Sequence, residues 1–376
     1  SQQVVNRPYQ ETSSRVSGSE IISSNSKTSY NGNYGLNASW TIYNGSKRLK
    51  TLKQERLNNQ VAELDVATSE NTIKESIAQI YIQILYAAES VRVNENTLQV
   101  SIAQRDRGQE LLNAGSIAKS DFAQLEAQVS TDRYQLVTAQ ATLQDYKLQL
   151  KQLLELDGEN EMNVYLPKLS DENVLAPLPA KKDVYVSALA IRPEIEASKL
   201  NVEASELGID IAKSSYFPTI SLSAGIGTNH TSGSDFTFGE QVKNGWNNSI
   251  GLSVSVPIFN NRQTKSAVQK AKLQRETDML SLLDEQKALY KTIESLWLDA
   301  NSAQQRYAAA NEKLRSTQIS YDLISEQFNL GMKNTVELLT EKNNLLQAQQ
   351  EQLQAKYMAI LNTQLLKFYQ GDKLTL

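Results

Sequence analysis

The chain of 376 residues has no cysteine, one histidine, seven prolines and no run of 18 apolar residues. Without cysteine there are no disulfides, thiol nucleophiles or thiolate metal sites. The histidine, His230, sits in a Ser/Thr/Gly stretch with no nucleophile nearby in sequence. No glycine-rich phosphate loop follows a strand pattern, and no metal-ligand spacing occurs. These absences point away from an enzyme and away from any cofactor or metal. The 38 basic and 42 acidic residues are interspersed, for a formal charge of −4. No basic block marks a nucleic-acid surface. No stretch is apolar for long enough to make a transmembrane helix, and no signal peptide opens the sequence.

What is present is a pattern written twice. An offset of 216 residues lays the second half over the first without a gap. Gly35-Leu36 falls on Gly251-Leu252, Asn44 on Asn260, Asp106 on Asp322 and Gly115 on Gly331. Each copy reads as strand, long helix, glycine turn and returning helix. The division expected is a first repeat at 1–156 (strands 1–43, helices 46–155) and a connector at 157–182 carrying Pro167, Pro177 and Pro179. A second repeat follows at 183–376 (helix 183–216, strands 217–259, helices 262–370). The repeat predicts a helix, part of a strand and any targeting segment ahead of Ser1, where a lipid-bearing cysteine has room. The opening strand, Ser1–Tyr9, has only Val4 and Val5 among polar residues.

Residues 30–43 alternate. Tyr30, Tyr34, Leu36, Ala38, Trp40 and Ile42 point one way, and Asn31, Asn33, Asn37, Ser39 and Thr41 the other. Residues 219–228 and 249–258 repeat this, with Ser, Thr and Gly on the wet face. Strands of about ten residues match a tilted bilayer crossing. Aromatic residues at strand ends, Tyr216, Phe217, Trp246 and Phe259, suit an interfacial girdle. Segments 10–29 and 229–248 read as exposed loops. Four strands cannot close a barrel, and an open edge in lipid leaves backbone groups unsatisfied. Closure therefore needs other copies. Three copies give twelve strands and an open lumen, which the small polar face favours over two.

From Ser46 to about Leu112 there is one glycine and no proline, and from Arg262 to about Phe328 neither. Each stretch predicts about 100 Å of helix. Ala303, Tyr307, Ala310, Leu314, Thr317, Tyr321, Ile324 and Phe328 keep heptad time, as do Phe122, Val129, Leu136, Leu143 and Leu150. Leu339, Leu346, Leu353 and Ile360 do likewise. Glycine past a helix end supplies the left-handed backbone that stops it. Leu112, Ile117, Phe328, Leu330 and Met332 around those turns are expected to face water unless a partner covers them.

Several motifs, in order on the doubled scaffold, resemble those of the outer-membrane factor family, the TolC-like proteins. They are Val256-Pro257-Ile258-Phe259-Asn260 with its counterpart Tyr43-Asn44-Gly45, Arg192-Pro193-Glu194, Tyr216-Phe217-Pro218, and the two Asn-x-Gly tips. The resemblance implies an α+β membrane protein: a homotrimer with a 12-stranded β-barrel, four strands per chain, continued by an antiparallel α-helical coiled-coil tunnel. It implies a place in the cell outer membrane with the tunnel in the periplasm. The implied partners are outer-membrane lipid, a periplasmic adaptor (membrane fusion) protein and an inner-membrane pump or exporter. The implied role is a passive exit duct of a tripartite efflux or type I secretion system.

By motif position, the resemblance also assigns residues. Glu337 lines the pore constriction, and Thr340 stands where the family has a second acidic residue. Asp121 and Lys333 form a gating pair at the tip. The tips that dock the adaptor are Leu112, Asn113, Ala114, Gly115, Ser116 and Ile117, with Phe328, Asn329, Leu330, Gly331 and Met332. The rival reading is a coiled-coil tether or stalk without a pore, which explains the heptads and leaves the alternating strands unexplained.

Overall fold

A computed structural model describes residues 2–6, 13–17, 20–24, 28–156, 162–167, 174–232, 234 and 236–374. The chain divides into two compact units: Ser1–Asn59 with Asn201–Met279, and Gln60–Leu200 with Leu280–Leu376.

The first unit is built on a four-stranded antiparallel sheet of order β1-β4-β5-β6. Its strands are β1 (Gln2–Asn6), β4 (Thr28–Asn44), β5 (Thr219–Thr231) and β6 (Asn247–Ser255). Between β1 and β4, β2 (Ser13–Ser17) and β3 (Glu20–Ser24) pair as a separate antiparallel ladder. The reading of 10–29 as loop is corrected there. Val16 lies opposite Ile21, β-branched residues that favour extended backbone. Residues 7–12, 18–19 and 25–27 lie outside the described residues.

The ladders keep the two faces apart. Leu36, Ala38 and Trp40 stand opposite Ile226, Ala224 and Leu222, which stand opposite Asn248, Ile250 and Leu252. On the other face, Asn37, Ser39 and Thr41 oppose Gly225, Ser223 and Ser221, followed by Ser249, Gly251 and Ser253. The alternation departs from expectation at one point. The register slips between Thr41 and Tyr43, so Tyr43, not Ile42, stands opposite Ile220. That is a bulge, which re-aims side chains near a sheet rim. β6 ends at Ser255 and not at Ile258, because Pro257 has no N–H to give a ladder.

Each long strand passes to its helix through two successive left-handed residues, Gly45 (φ 67°) and Ser46 (φ 65°), then Asn261 (φ 50°) and Arg262 (φ 62°). At Gly45 a side chain would press on Ser214 O and Phe217. Beyond these turns run α1 (Lys47–Asn113) and α6 (Gln263–Asn329), 67 residues each. In the first unit α1 is tied to α4 (Pro193–Ser214) by Gln54 donating to Ala204 O (2.9 Å) and by Lys50–Asp210 (3.6 Å).

In the second unit α2 (Lys119–Leu153), α3 (Lys181–Ile191) and α7 (Thr335–Gln370) join α1, α4 and α6. The expected single helix at 183–216 is two, α3 and α4. Arg192 between them is extended (ψ 125°), as a residue before proline prefers. Its guanidinium is buried and holds the break: Nε lies 2.7 Å from Glu194, NH1 3.4 Å from Glu75, and the Tyr369 ring centroid is 4.3 Å away. Burial pushes the Tyr369 phenol up to about 12. It therefore stays neutral at physiological pH.

Heptad residues Val129, Leu150, Ala303, Tyr307, Ala310, Phe328 and Leu346 are buried, and α7 contributes the most to the core. One cluster joins Val184, Ala188, Ile195, Leu289, Ile293, Ala300 and Leu366. Another joins Ala78, Ile82 and Leu85 to Tyr357, Leu361 and Leu365. Near the tips, Leu125, Phe328 and Leu338 form a third. Gly108 permits that third cluster to close, since a β-carbon there would collide with Leu125 Cδ1. Gly108→Val is therefore expected to lower stability by about 1–3 kcal/mol through overpacking. A thermal melt in detergent equal to wild type would show that α1 and α2 do not need this close approach.

Candidate functional site

Two surfaces carry the functional evidence. The first is the sheet. Its apolar face lies open: Leu36 is 73% exposed, Trp40 60%, Ile250 85% and Leu252 66%. Contiguous oily surface of this kind is rare on soluble monomers and marks contact with lipid or protein. The opposite face has small, uncharged side chains. Ser223 Oγ donates to Gly251 O (3.2 Å), and a β-carbon at Gly225 would press on Asn37 Oδ1. A sheet oily on one side and small and polar on the other has the chemistry of a strand set between lipid and water. Among the described residues no helix is long and apolar enough to cross a membrane.

The second surface is the pair of helical turns. Both end in the same backbone. Gly115 and Gly331 have φ 72°; Ser116 N donates to Leu111 O (2.8 Å) and Met332 N to Gln327 O (2.9 Å). This is the left-handed helix stop that glycine permits. The tip side chains divide. Leu330 and Met332 are exposed, while Leu112 and Ile117 are half-buried. Phe328 corrects the expectation that it faces water: it is 2% exposed, packed on Leu125 and Leu338. Its heptad phase, not its closeness to the turn, decides its direction. Asn113, Ala114, Ser116 and Asn329 are exposed.

The charged residues at the tips act locally. Glu337 N donates to Asn334 Oδ1 (2.9 Å), and Asn334 N donates back to Glu337 Oε2 (3.2 Å), a reciprocal cap on α7. Lys333 Nζ lies 2.5 Å from Glu337 Oε1. The hydrogen bond from Lys333 holds the Glu337 carboxyl below the usual range. Asp121 Oδ2 accepts from Ala118 N (3.4 Å) at the start of α2. Among the described residues of one chain, Lys333 thus pairs with Glu337 and not with Asp121. Thr340 Oγ1 donates to Val336 O (2.7 Å) on its own helix.

The family model for outer membrane efflux proteins matches residues 8–155 and 184–371, most of the chain. The chain belongs to the outer membrane efflux protein family. Membership, and not any feature missing from the structure, sets the enzyme reading aside. Among its relatives, the outer membrane efflux protein BepC of Brucella suis biovar 1 (strain 1330) is 26% identical over 78% of this chain and 61% of its own length. The outer membrane protein TolC of Escherichia coli (strain K12) is 24% identical over 87% of this chain and 66% of its own. The chain thus spans less than two thirds of either relative. A crystal structure of CusC, described with transmembrane channel formation, superposes with a TM-score of 0.78 at 20% identity. It covers 99% of this chain and 84% of that one, and shows a shared fold. The chain is mostly helical, with a four-stranded antiparallel sheet, and shares the fold of that structure.

One buried group near the tips had no signal in the sequence. Lys342 of α7, Asp132 of α2 and Ser101 of α1 are 3%, 1% and 2% exposed. Lys342 Nζ donates to Asp132 Oδ2 and lies against Ser101 Oγ, which also bonds to Asp132. Gln128 Nε2 donates to the other carboxylate oxygen (2.9 Å). Each residue alone reads as a solvated helix charge or hydroxyl. Burial pulls the Lys342 amine below its ordinary 10.5, against the opposing pull of Asp132. Asp132→Ala leaves that ammonium buried and unpaired, an expected loss of about 3–5 kcal/mol, whereas Asp132→Leu with Lys342→Met stays near wild type. With its native pKa below its unfolded one, Lys342 binds fewer protons when folded. Stability therefore rises with pH between those two values. Melts of Asp132→Ala should recover as pH is raised from about 7 toward 10; a flat profile would show that Lys342 is not held charged in the core.

Proposed function

We propose that this chain is one subunit of a homotrimeric exit duct in the cell outer membrane. It would pass substrates outward from an inner-membrane pump or exporter through a periplasmic adaptor, in a tripartite efflux or type I secretion system. The observation that carries this is the sheet with one exposed apolar face and one small polar face. Three such sheets would close a 12-stranded barrel around water. The helices would form a coiled-coil tunnel in the periplasm, and no bond is made or broken in transport. The 216-residue offset supports reading 1–156 and 183–376 as two copies of one unit, with 157–182 as connector. A tether would leave the apolar sheet face in water, which favours the duct.

At the tips, Glu337 is proposed to line the constriction, with Thr340 one turn on. Asp121 of one helix pair and Lys333 of a neighbour would hold the tip shut. Gly115 and Gly331, with the residues around them from Leu112 to Ile117 and from Phe328 to Met332, would form the adaptor's dock. Leu330 and Met332 are the exposed apolar contacts there.

Three Glu337 carboxylates about one axis would attract cations. Glu337→Gln is expected to lower cation preference in planar bilayers; unchanged reversal potentials would reject the assignment. Full-length protein should give a small conductance that grows in Asp121→Ala/Lys333→Ala. A large wild-type conductance unaffected by the mutations would keep the channel and discard the gate, and no conductance from folded protein would return the tether. Leu330→Asp should reduce adaptor-dependent export while leaving the conductance intact, and full export would move the dock elsewhere.

A further inference from the structure

The stretch 229–248, read from sequence as loop, contains the last residues of β5 and a short helix, α5 (Phe238–Asn244). The helix starts at a reciprocal cap: Glu240 N donates to Thr237 Oγ1 (3.4 Å) and Thr237 N to Glu240 Oε2 (2.9 Å). It is fastened to β5 at two points. Thr228 Oγ1 donates to Val242 O (2.7 Å), and Gln241 Oε1 accepts from Thr231 N (2.9 Å).

The ladder identifies the face it lies on. Thr228 stands opposite Tyr34 and His230 opposite Gly32. By alternation these share the side of Leu36, Ala38 and Trp40, not that of Asn37 and Ser39. The Phe238 ring is 5.1 Å from His230 and 6.2 Å, edge-on, from Tyr34. The Phe238 end of α5 is therefore seated on the apolar face, at the sheet end away from the long helices, while its C-cap Gly245 adjoins Asn229 and Asn247 of the other face.

The aromatic residues in and beside it stay uncovered. Phe236 is 53% exposed, Phe238 55% and Trp246 57%. Lys243, in the last turn, is also exposed and has no ion pair among the described residues. The only acid of the helix, Glu240, is engaged by Thr237. Of these, Trp246 has an indole N–H on an apolar ring, the kind of side chain that gathers at a membrane–water boundary; Phe236 and Phe238 are wholly apolar and suit its acyl side, and a lysine there extends to phosphate. On a sheet end the same residues facing water alone would be an exposed patch without a partner.

We infer that α5 is an interfacial helix that lies among the phosphate-bearing headgroups of the bilayer, with Phe236, Phe238 and Trp246 at the acyl boundary and Lys243 on phosphate. This rests on the barrel reading and adds to it. The apolar face continues past the strands into a capped helix, so the subunit is fixed in depth as well as in orientation.

The chain has three tryptophans, Trp40, Trp246 and Trp297. Two variants keep one reporter each: Trp40→Phe/Trp297→Phe keeps Trp246, and Trp246→Phe/Trp297→Phe keeps Trp40. Full chain is reconstituted in vesicles of phosphatidylcholine and phosphatidylglycerol. The phosphatidylcholine is brominated either near the headgroup end of the acyl chain or near its terminus. Trp246 is expected to lose more emission to the shallow bromines than to the deep ones, and Lys243→Glu to diminish that loss. Trp40 quenched with Trp246 unquenched, or Trp246 quenched more by the deep set, overturns the placement of α5 and leaves the barrel. Neither tryptophan quenched overturns the barrel reading itself. Unchanged quenching in Lys243→Glu removes the phosphate contact. Trp297 Nε1 donates to Pro179 O (3.0 Å), so its loss could cost folding. In that case a nitroxide on Asn244→Cys, the sole thiol in this chain, reads the same depth from oxygen against nickel-chelate accessibility.

Discussion

The constraint on which the rest depends is the unpaired backbone of the sheet edges. In the order β1-β4-β5-β6, β6 has a partner on one side only among the described residues, and β1 covers β4 only from Thr28 to Gly32. From Asn33 onward β4 has a partner only on the β5 side among the described residues. In water such edges are hydrated at little cost. The exposed Leu36, Trp40, Ile250 and Leu252 make water a poor neighbour for this face, and in lipid each unpaired group costs several kcal/mol. The oily face and the open edges are compatible only if further strands complete the sheet. In the closed barrel proposed above, the other face would have to fit inside. Ser223, Gly225 and Gly251 leave room that larger side chains would fill.

The helices meet the opposite situation. Their backbone is satisfied internally over 67 residues, so the specification moves to side chains. Ala300, Ala303, Ala355 and Ala359 let helices approach closely, and aromatic residues such as Tyr307 fill what remains. A seam of small and aliphatic residues is tolerant of sliding by a heptad. The buried Lys342–Asp132–Ser101 group is not, because a shifted α7 would strand an ammonium in the core. Buried ionic groups add little net stability, yet they can fix register. That is the role best suited to a group of three side chains joining three helices close to the tips.

What could be read from the sequence was what repeats. Period two gave the strands and their faces, period 3.5 gave the buried stripe, and the glycine turns fell at Gly115 and Gly331. The errors came where a single residue overrides a period. Pro257 stopped β6 early, Pro193 split one expected helix into α3 and α4, and an extra residue at Ile42 turned Tyr43 to the other face. α5 was hidden because seven residues are too few for a helical period; its signal was the Thr237–Glu240 cap spacing, legible but unread. The Lys342 group had no local signal, since its members lie 31, 210 and 241 residues apart.

The two tips show how a shared backbone can carry unequal chemistry. Asp121 and Glu337 occupy the same place, the third residue of the returning helix, and each bonds back to the backbone at its helix start. One turn earlier the chain has Ile117 in the first tip and Lys333 in the second. Glu337 therefore has its own cation, while Asp121 has none at the matching position. A bond between Asp121 and Lys333 of neighbouring copies would have to draw the ammonium from Glu337. Exposed pairs of this kind differ by about 0–1 kcal/mol. A tip closed by such exchanges would stand near balance, so that an adaptor covering Leu330 and Met332 would need little energy to tip it. The resemblance names three charged residues with separate duties; within one chain the geometry gives Lys333 to Glu337, so the proposed pair with Asp121 would have to compete for it.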